Sequence, residues 1–268
     1  MNLGAKLKAF VAGVETWFLR LGQGPPLLVM PGLLGRDAHP AAEASSDRHT
    51  AYAPDPPGFW QSEAPTGRLT VPWLGGSWIG SFHKGVIGNR PILVLGFSAG
   101  ATFLVHYAAT HPGAIGKLVL YEPIIKGRDL PPWLRGLILA TRIPGATAVI
   151  LKWAPNLVPV LPGVNKVGWR KRMRLVEGIN SPRAVGDLGR SLLSSDVTDQ
   201  IQSLDVPVLI VRGDRPGGLV PLEALKSLRG PHISHLEIAG LGHFLGGKGQ
   251  QSVVEAVRDF LRPSRTFR

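Results

Sequence analysis

Residues 91–112 constrain the fold more than any other stretch of this chain. Pro91-Ile92-Leu93-Val94-Leu95 is a short apolar run, the pattern of a strand buried on both faces. Gly96-Phe97-Ser98-Ala99-Gly100 follows. After it, Ala101, Phe103, Leu104, Val105, Tyr107 and Ala108 recur at helical spacing until His111-Pro112. A strand that passes into a helix through so short a turn must strain the residue at its apex. Gly96 and Gly100 leave the room that side chains would block. Ser98 is thereby lifted clear of the sheet at the amino end of a helix, whose free N–H groups favour developing negative charge. In a chain with 34 glycines, Gly-x-Ser-x-Gly alone says little. The strand before it and the helix after it are what make Ser98 a candidate nucleophile.

The chain has 268 residues, 44% of them hydrophobic, enough for one large core or a core plus a subdomain. It contains no cysteine, which excludes disulfides, thiolate zinc sites and a cysteine nucleophile. Near the amino end, Lys6 and Lys8 precede an apolar stretch that Glu15 breaks too early for a secretory segment. Trp153 to Asn165 is uncharged but carries three prolines, far from a spanning helix. A soluble, cytoplasmic protein without a membrane span is expected. The net charge of +12 raises nucleic acid, an anionic membrane surface or an anionic substrate as partners. The densest basic cluster is Lys166 with Arg170-Lys171-Arg172 and Arg174, and Trp169, Met173 and Val176 recur within it at helical spacing. That is the wet side of an amphipathic helix. The aromatic–basic interleaving of an RNA-binding module is missing, so no nucleic-acid partner is expected and a weak attraction to anionic surfaces stays open.

Elsewhere strands alternate with helices. Trp17–Leu21, Leu27–Met30, His49–Ala53, Leu118–Tyr121, Val208–Val211 and His235–Ile238 read as strands. Trp73–Val86, a segment near Leu222–Leu228 and Ser252–Leu261 read as helices. This order predicts an α/β fold, a mostly parallel sheet with helices on both faces. Residues 124–200 break the rhythm, with helical patterns over Trp133–Thr141, Ala146–Trp153, Val167–Ile179 and Pro182–Leu193 and no clear strand. They predict a helical cap, with Trp133, Trp153 and Trp169 in its core. The expected division is a core of residues 1–123 and 201–268 and a cap of residues 124–200.

A serine hydroxyl is a weak nucleophile and needs a base to take its proton and return it to the leaving group. Gly242-His243-Phe244 follows the last apolar strand, and an imidazole of ordinary pKa can do both near neutrality. His243 is the candidate base. His106 and His111, on the helix after Ser98, read as packing or surface residues, and Asp196 and Asp199 as local caps. No His/Asp/Glu cluster has metal-ligand spacing, so neither a metal nor another cofactor is expected.

These residues together resemble the α/β-hydrolase superfamily over nearly the whole chain outside the cap. The carriers are Gly22-Gln23-Gly24-Pro25-Pro26 through Met30-Pro31-Gly32, Ala53-Pro54-Asp55-Pro56-Pro57-Gly58, Gly96–Gly100, Leu118–Pro123, Val206–Asp214 and Gly242-His243-Phe244. The resemblance implies an oxyanion hole of two backbone N–H groups, those of Ala99 and of Leu33. The family usually has His-Gly where this chain has Pro31-Gly32, which a backbone donor tolerates.

The acid departs from the family's pattern of Gly-x-x-Asp after the strand at 208–211. Gly213-Asp214-Arg215-Pro216 places a proline where that aspartate belongs. Asp214 stands two positions early. Glu122 follows the strand after the Ser98 helix, the place from which related dehalogenases supply their acid. Glu122 is preferred, Asp214 is the alternative, and a dyad without an acid is the third reading.

Serine at position 98 argues against epoxide hydrolases and dehalogenases, whose members carry aspartate there. The expected activity is hydrolysis of a carboxylic ester or related acyl substrate with an apolar group, through an acyl-serine. A C–C hydrolase, a hydroxynitrile-lyase-like activity and a prolyl aminopeptidase are the enzymatic alternatives. A non-catalytic small-ligand-binding relative is the alternative of another class.

Overall fold

The computed structural model describes residues 5–33, 38–157, 178–215, 219–243 and 245–262. Strands β1 (Ala5–Val11), β2 (Val14–Leu21), β3 (Pro26–Met30), β4 (Thr50–Pro54), β5 (Ile92–Phe97), β6 (Ile115–Tyr121), β7 (Val208–Gly213) and β8 (Ile233–Ile238) form one sheet in the order β1-β2-β4-β3-β5-β6-β7-β8. β2 pairs antiparallel with both β1 and β4, and every pairing from β4 through β3 to β8 is parallel. The central strands are apolar because both of their faces are covered, and all six residues of β5 are buried.

One layer beneath the sheet consists of α1 (Ala38–Ser45) and, near the carboxyl end, α9 (Gly247–Val257). Ala38, Ala41, Ala42, Val253, Val254 and Val257 meet Leu27, Val29, Leu93, Leu95, Val119 and Val211 there. The opposite layer holds α3 (Ala99–Thr110) and a helical stretch in which α2 (Ile79–Phe82) lies between two wider-wound segments, Trp73–Trp78 and His83–Ile87. Leu74, Trp78, Phe82 and Phe103 fill that core. A Cβ on Gly75 would lie 2.8 Å from the Phe103 carbonyl oxygen, so glycine is what lets this stretch close on α3. α7 (Thr198–Gln202) and α8 (Leu222–Lys226) complete the layer through Ile201 and Leu225.

Between β6 and β7 run α4 (Pro132–Ala140), α5 (Ala146–Leu157) and α6 (Pro182–Leu193). α6 seats on the core through Ala184, Leu188 and Leu192, and α4 and α5 pack on α6 and on each other. The helix expected over Val167–Ile179 and the basic cluster at 166–174 lie, apart from residues 178 and 179, outside the described residues.

Two expectations need correction. Trp153 is 56% exposed and is not part of a core, Trp133 is half-buried, and Trp169 lies outside the described residues. The last helix spans Gly247–Val257, not Ser252–Leu261. β1 was not foreseen. Its Lys6, Lys8 and Phe10 face outward on an edge strand, so burial leaves little imprint on its sequence. It is turned back onto β2 by Ala12 and Gly13, both at positive φ (48° and 82°), the geometry that two-residue hairpins need.

Candidate active site

In an open α/β sheet the crevice lies outside the carboxyl ends of the strands, where the strand order reverses. Here β3 neighbours β4 on one side and β5 on the other, so that point falls between the ends of β3 and β5. Ser98 follows β5 and Leu33 follows β3 by three residues.

Ser98 occupies φ 51°, ψ −119°. Such a conformation costs a non-glycine residue on the order of 1–3 kcal/mol. The surroundings that enforce it are visible. Its N–H donates to the Tyr121 carbonyl at 2.9 Å, and its own carbonyl accepts from Ala101 N–H at 3.1 Å. A Cβ on Gly96 would lie 2.5 Å from Ala101 Cα, and one on Gly100 would lie 2.2 Å from the Pro31 carbonyl oxygen. Both glycines are therefore required for the turn to close. Gly100 also brings Met30 and Pro31, at the end of β3, against the start of α3.

A serine at this helix position ordinarily caps the first-turn N–H groups. The Ser98 side chain makes no such bond. Its Oγ is instead 3.0 Å from His243 Nε2. His243 Nδ1 in turn lies 2.7 Å from Glu122 Oε2, with the imidazole and carboxylate side chains only 4% and 7% exposed. An ionised carboxylate can only accept, so Nδ1 carries the proton and Nε2 is the acceptor facing the hydroxyl. Ser98 itself is half-buried and can be reached.

Glu122 is held at both oxygens. Oε1 accepts from the Gly213 N–H at 3.1 Å, and the Glu122 N–H donates to the Val211 carbonyl at 2.8 Å. Its φ of 42° turns the chain out of β6 and the side chain across the end of β7. Glu122, the preferred acid, thus stands on His243. Asp214 does not. Its Oδ1 accepts from the Gly240 N–H at 2.7 Å, tying the end of β7 to the turn after β8.

Two residues that sequence reasoning passed over frame the histidine. Tyr121 donates its hydroxyl to the Gly242 carbonyl at 2.9 Å. Burial, with Glu122 beside it, pushes the phenol's pKa well above its ordinary value, so it stays a donor. A Cβ on Gly213 would lie 2.3 Å from the Leu241 carbonyl oxygen, so only glycine admits the histidine loop this close to β7. Both residues stand in stretches that the family resemblance covers. Neither carries a chemical signal of its own.

His106 and His111 pack beside Gly75 and Gly80, and Asp196 accepts from Thr198 N–H and Oγ at 3.1 and 2.6 Å, all as expected. Among the described residues, no group of three or more His, Cys, Asp or Glu could hold a metal ion, and no helix is long and apolar enough to cross a membrane.

Residues 25–248 match the family model described as the alpha/beta hydrolase fold. The chain belongs to the α/β-hydrolase family. No curated protein matches it by sequence. Among solved structures it is similar to a thermophilic esterase from Thermogutta terrifontis, at 19% identity and a TM-score of 0.79 over 96% of this chain and 98% of the esterase. It is also similar to the Cif epoxide hydrolase from Acinetobacter nosocomialis, at 16% identity and 0.78 over 98% and 90%. A third is the N-formylmaleamic acid deformylase of Pseudomonas putida S16, at 17% and 0.70 over 94% and 100%. At these identities the likeness is one of fold. This α/β hydrolase shares its architecture with relatives of differing chemistry, so its own reaction has to be argued from its own side chains.

Proposed function

We propose that this α/β hydrolase is a serine hydrolase that cleaves a carboxylic ester, or a related acyl substrate, carrying an apolar group. The observation that carries this reading is the unbroken relay from Ser98 Oγ to His243 Nε2 at 3.0 Å and from His243 Nδ1 to Glu122 Oε2 at 2.7 Å. Ser98 attacks the substrate carbonyl as His243 takes its proton. Glu122 holds the imidazole in the Nδ1–H tautomer and stabilises the imidazolium that forms. The oxyanion is received by the N–H groups of Ala99 and Leu33, a contribution of about 3–4 kcal/mol per donor where such groups have been removed from other enzymes. His243 then returns the proton to the departing alcohol, leaving an acyl-serine. In the second half His243 activates water and the acid is released.

Serine, not aspartate, at the apex supports acyl transfer over attack on an epoxide or haloalkane. The segment 124–200, which carries α4, α5 and α6, is proposed to act as a cap over the site. Its leucine, isoleucine and valine content suits an acyl chain or hydrophobic alcohol, at about 0.8 kcal/mol per methylene buried.

The test is a panel of p-nitrophenyl esters of rising chain length, run with wild type and Ser98→Ala beside a fluorophosphonate probe. Wild type should turn over esters and be labelled once, and Ser98→Ala should lose both. Labelling that survives Ser98→Ala overturns the assignment of the nucleophile. A labelled serine with no turnover of any ester moves the substrate out of this class.

A further inference from the structure

The helices between β6 and β7 carry a surface that the proposed chemistry does not use. α4 and α5 pack on α6 with one side, and the other side is apolar and open. Leu139, Ile143, Val149 and Trp153 are 45%, 64%, 56% and 56% exposed. The other exposed large hydrophobics among the described residues, Leu7 and Phe10, sit on edge strand β1. Val149 and Trp153 are one helical turn apart on α5. Leu139 ends the exposed row of α4, and Ile143 lies in the turn between the two helices.

Three cations lie among them. Arg135 stands one turn before Leu139, Arg142 beside Ile143 and Lys152 beside Trp153, all three exposed. None has a carboxylate partner among the described residues. The sequence between Asp129 and Glu177 contains no acidic residue, while Lys166, Arg170, Lys171, Arg172 and Arg174, outside the described residues, add to its cations. Residues 130–176 thus carry eight cations and no anion, two-thirds of the net charge of +12.

We propose that the outer face of α4 and α5 docks the protein on an anionic lipid surface. Trp153, Val149, Ile143 and Leu139 enter the headgroup boundary, and Arg135, Arg142 and Lys152 meet lipid phosphates. Exposed aliphatics and a tryptophan interleaved with cations are the composition of an interfacial helix, and each basic residue near an anionic leaflet adds to the attraction. A second copy of the chain fits worse, because a self-complementary contact would bring two cationic faces together. Nucleic acid would use the cations but leave the aliphatics in water. With no helix long and apolar enough to cross a membrane among the described residues, the attachment is peripheral.

The experiment is flotation of the full chain with vesicles of phosphatidylcholine alone and of phosphatidylcholine with phosphatidylglycerol. Partition onto the anionic vesicles should be at least about tenfold greater and should fall in about 0.5 M salt, where the screening length is only a few ångström. Val149→Asp and Trp153→Ala, both at exposed positions, should each lower it about tenfold with an unchanged circular dichroism spectrum and Tm. Equal partition on both vesicle types, no partition, or variants that float like wild type overturn the proposal. So does a dimer in solution that Val149→Asp dissociates, which gives the face to a second copy, or salt-sensitive binding of duplex DNA that outcompetes the vesicles. None of these readouts uses turnover, so they stand or fall apart from the Ser98 assignment.

Discussion

The proposed chemistry turns on a single carboxylate. Glu122 and Asp214 are both carboxylates at strand ends, one after β6 and the other after β7, and only Glu122 reaches His243. Glu122→Gln keeps the shape and the Gly213 contact but replaces an acceptor with an amide that can turn its N–H₂ toward the ring. The imidazole then loses its reason to carry the proton on Nδ1. Turnover of an activated ester should fall by about 10⁴, the order seen when the corresponding carboxylate of another serine hydrolase is made an amide. Asp214→Asn keeps an acceptor for the Gly240 N–H and should stay within about tenfold of wild type, under about 1.4 kcal/mol of barrier. Steady-state kinetics of the two variants side by side are the check, and the reverse ranking would make Glu122 a structural residue. Ser98 and His243 were legible in the sequence because strand order and local pattern locate them. The proposed acid was legible only as a preference, because what separates Glu122 from Asp214 is the direction in which each loop turns its side chain, and that appears only once the strands are side by side.

At the scale of elements, the end of β6 organises the site. The Tyr121 carbonyl accepts from the Ser98 N–H, its hydroxyl donates to the Gly242 carbonyl, and the next residue is the proposed acid, Glu122. One dipeptide thereby registers the turn after β5 against the loop after β8. Tyr121→Phe keeps the ring's packing against Phe97 and removes only the anchor of the histidine loop. We expect kcat to fall about tenfold, or about 1.4 kcal/mol, with KM nearly unchanged, since substrate contacts remain. An unaltered kcat would show that the loop holds its place without this bond. Gly213→Ala is the harsher test, because its Cβ meets backbone and not a yielding side chain. It should displace His243 and lower kcat further while far-UV dichroism is retained. The buried strands and α6 were legible because burial writes an apolar pattern. Edge strand β1 was not, having one face in water. Nor could any local pattern tell an inward tryptophan on α4 or α5 from an outward one. Trp153 proved exposed because α5 needs only one side to pack on α6.

Across the whole molecule, the proposed nucleophile, base and acid arrive on three loops that only the assembled sheet brings together, so whatever loosens the sheet loosens the site. Acid is such an agent. His49, His83 and His106 all have their pKa values held below the ordinary imidazole range, in each case first by burial. His83 shows the cost most directly. One ring nitrogen lies 2.8 Å from the Arg90 carbonyl, which can only accept, so that nitrogen carries the proton. The other lies 2.5 Å from the Tyr107 hydroxyl, and burial pushes that phenol up to about 12, which keeps it a donor. A second proton on His83 would face that donor and force it to rotate away from its acceptor. Because the folded pKa values are depressed, the unfolded chain takes up protons first as pH falls through about 6.5, and stability rises with pH in that window. The contribution is complete above about pH 7 and is lost progressively below 6.5. Thermal unfolding followed by circular dichroism should give a constant Tm between about pH 8 and 7 and a loss of several degrees by about pH 5.5, above the range where carboxylates titrate. A flat Tm down to pH 5.5 would mean that these imidazoles charge inside the fold without penalty, and that the packing around His83 is looser than its two hydrogen bonds imply.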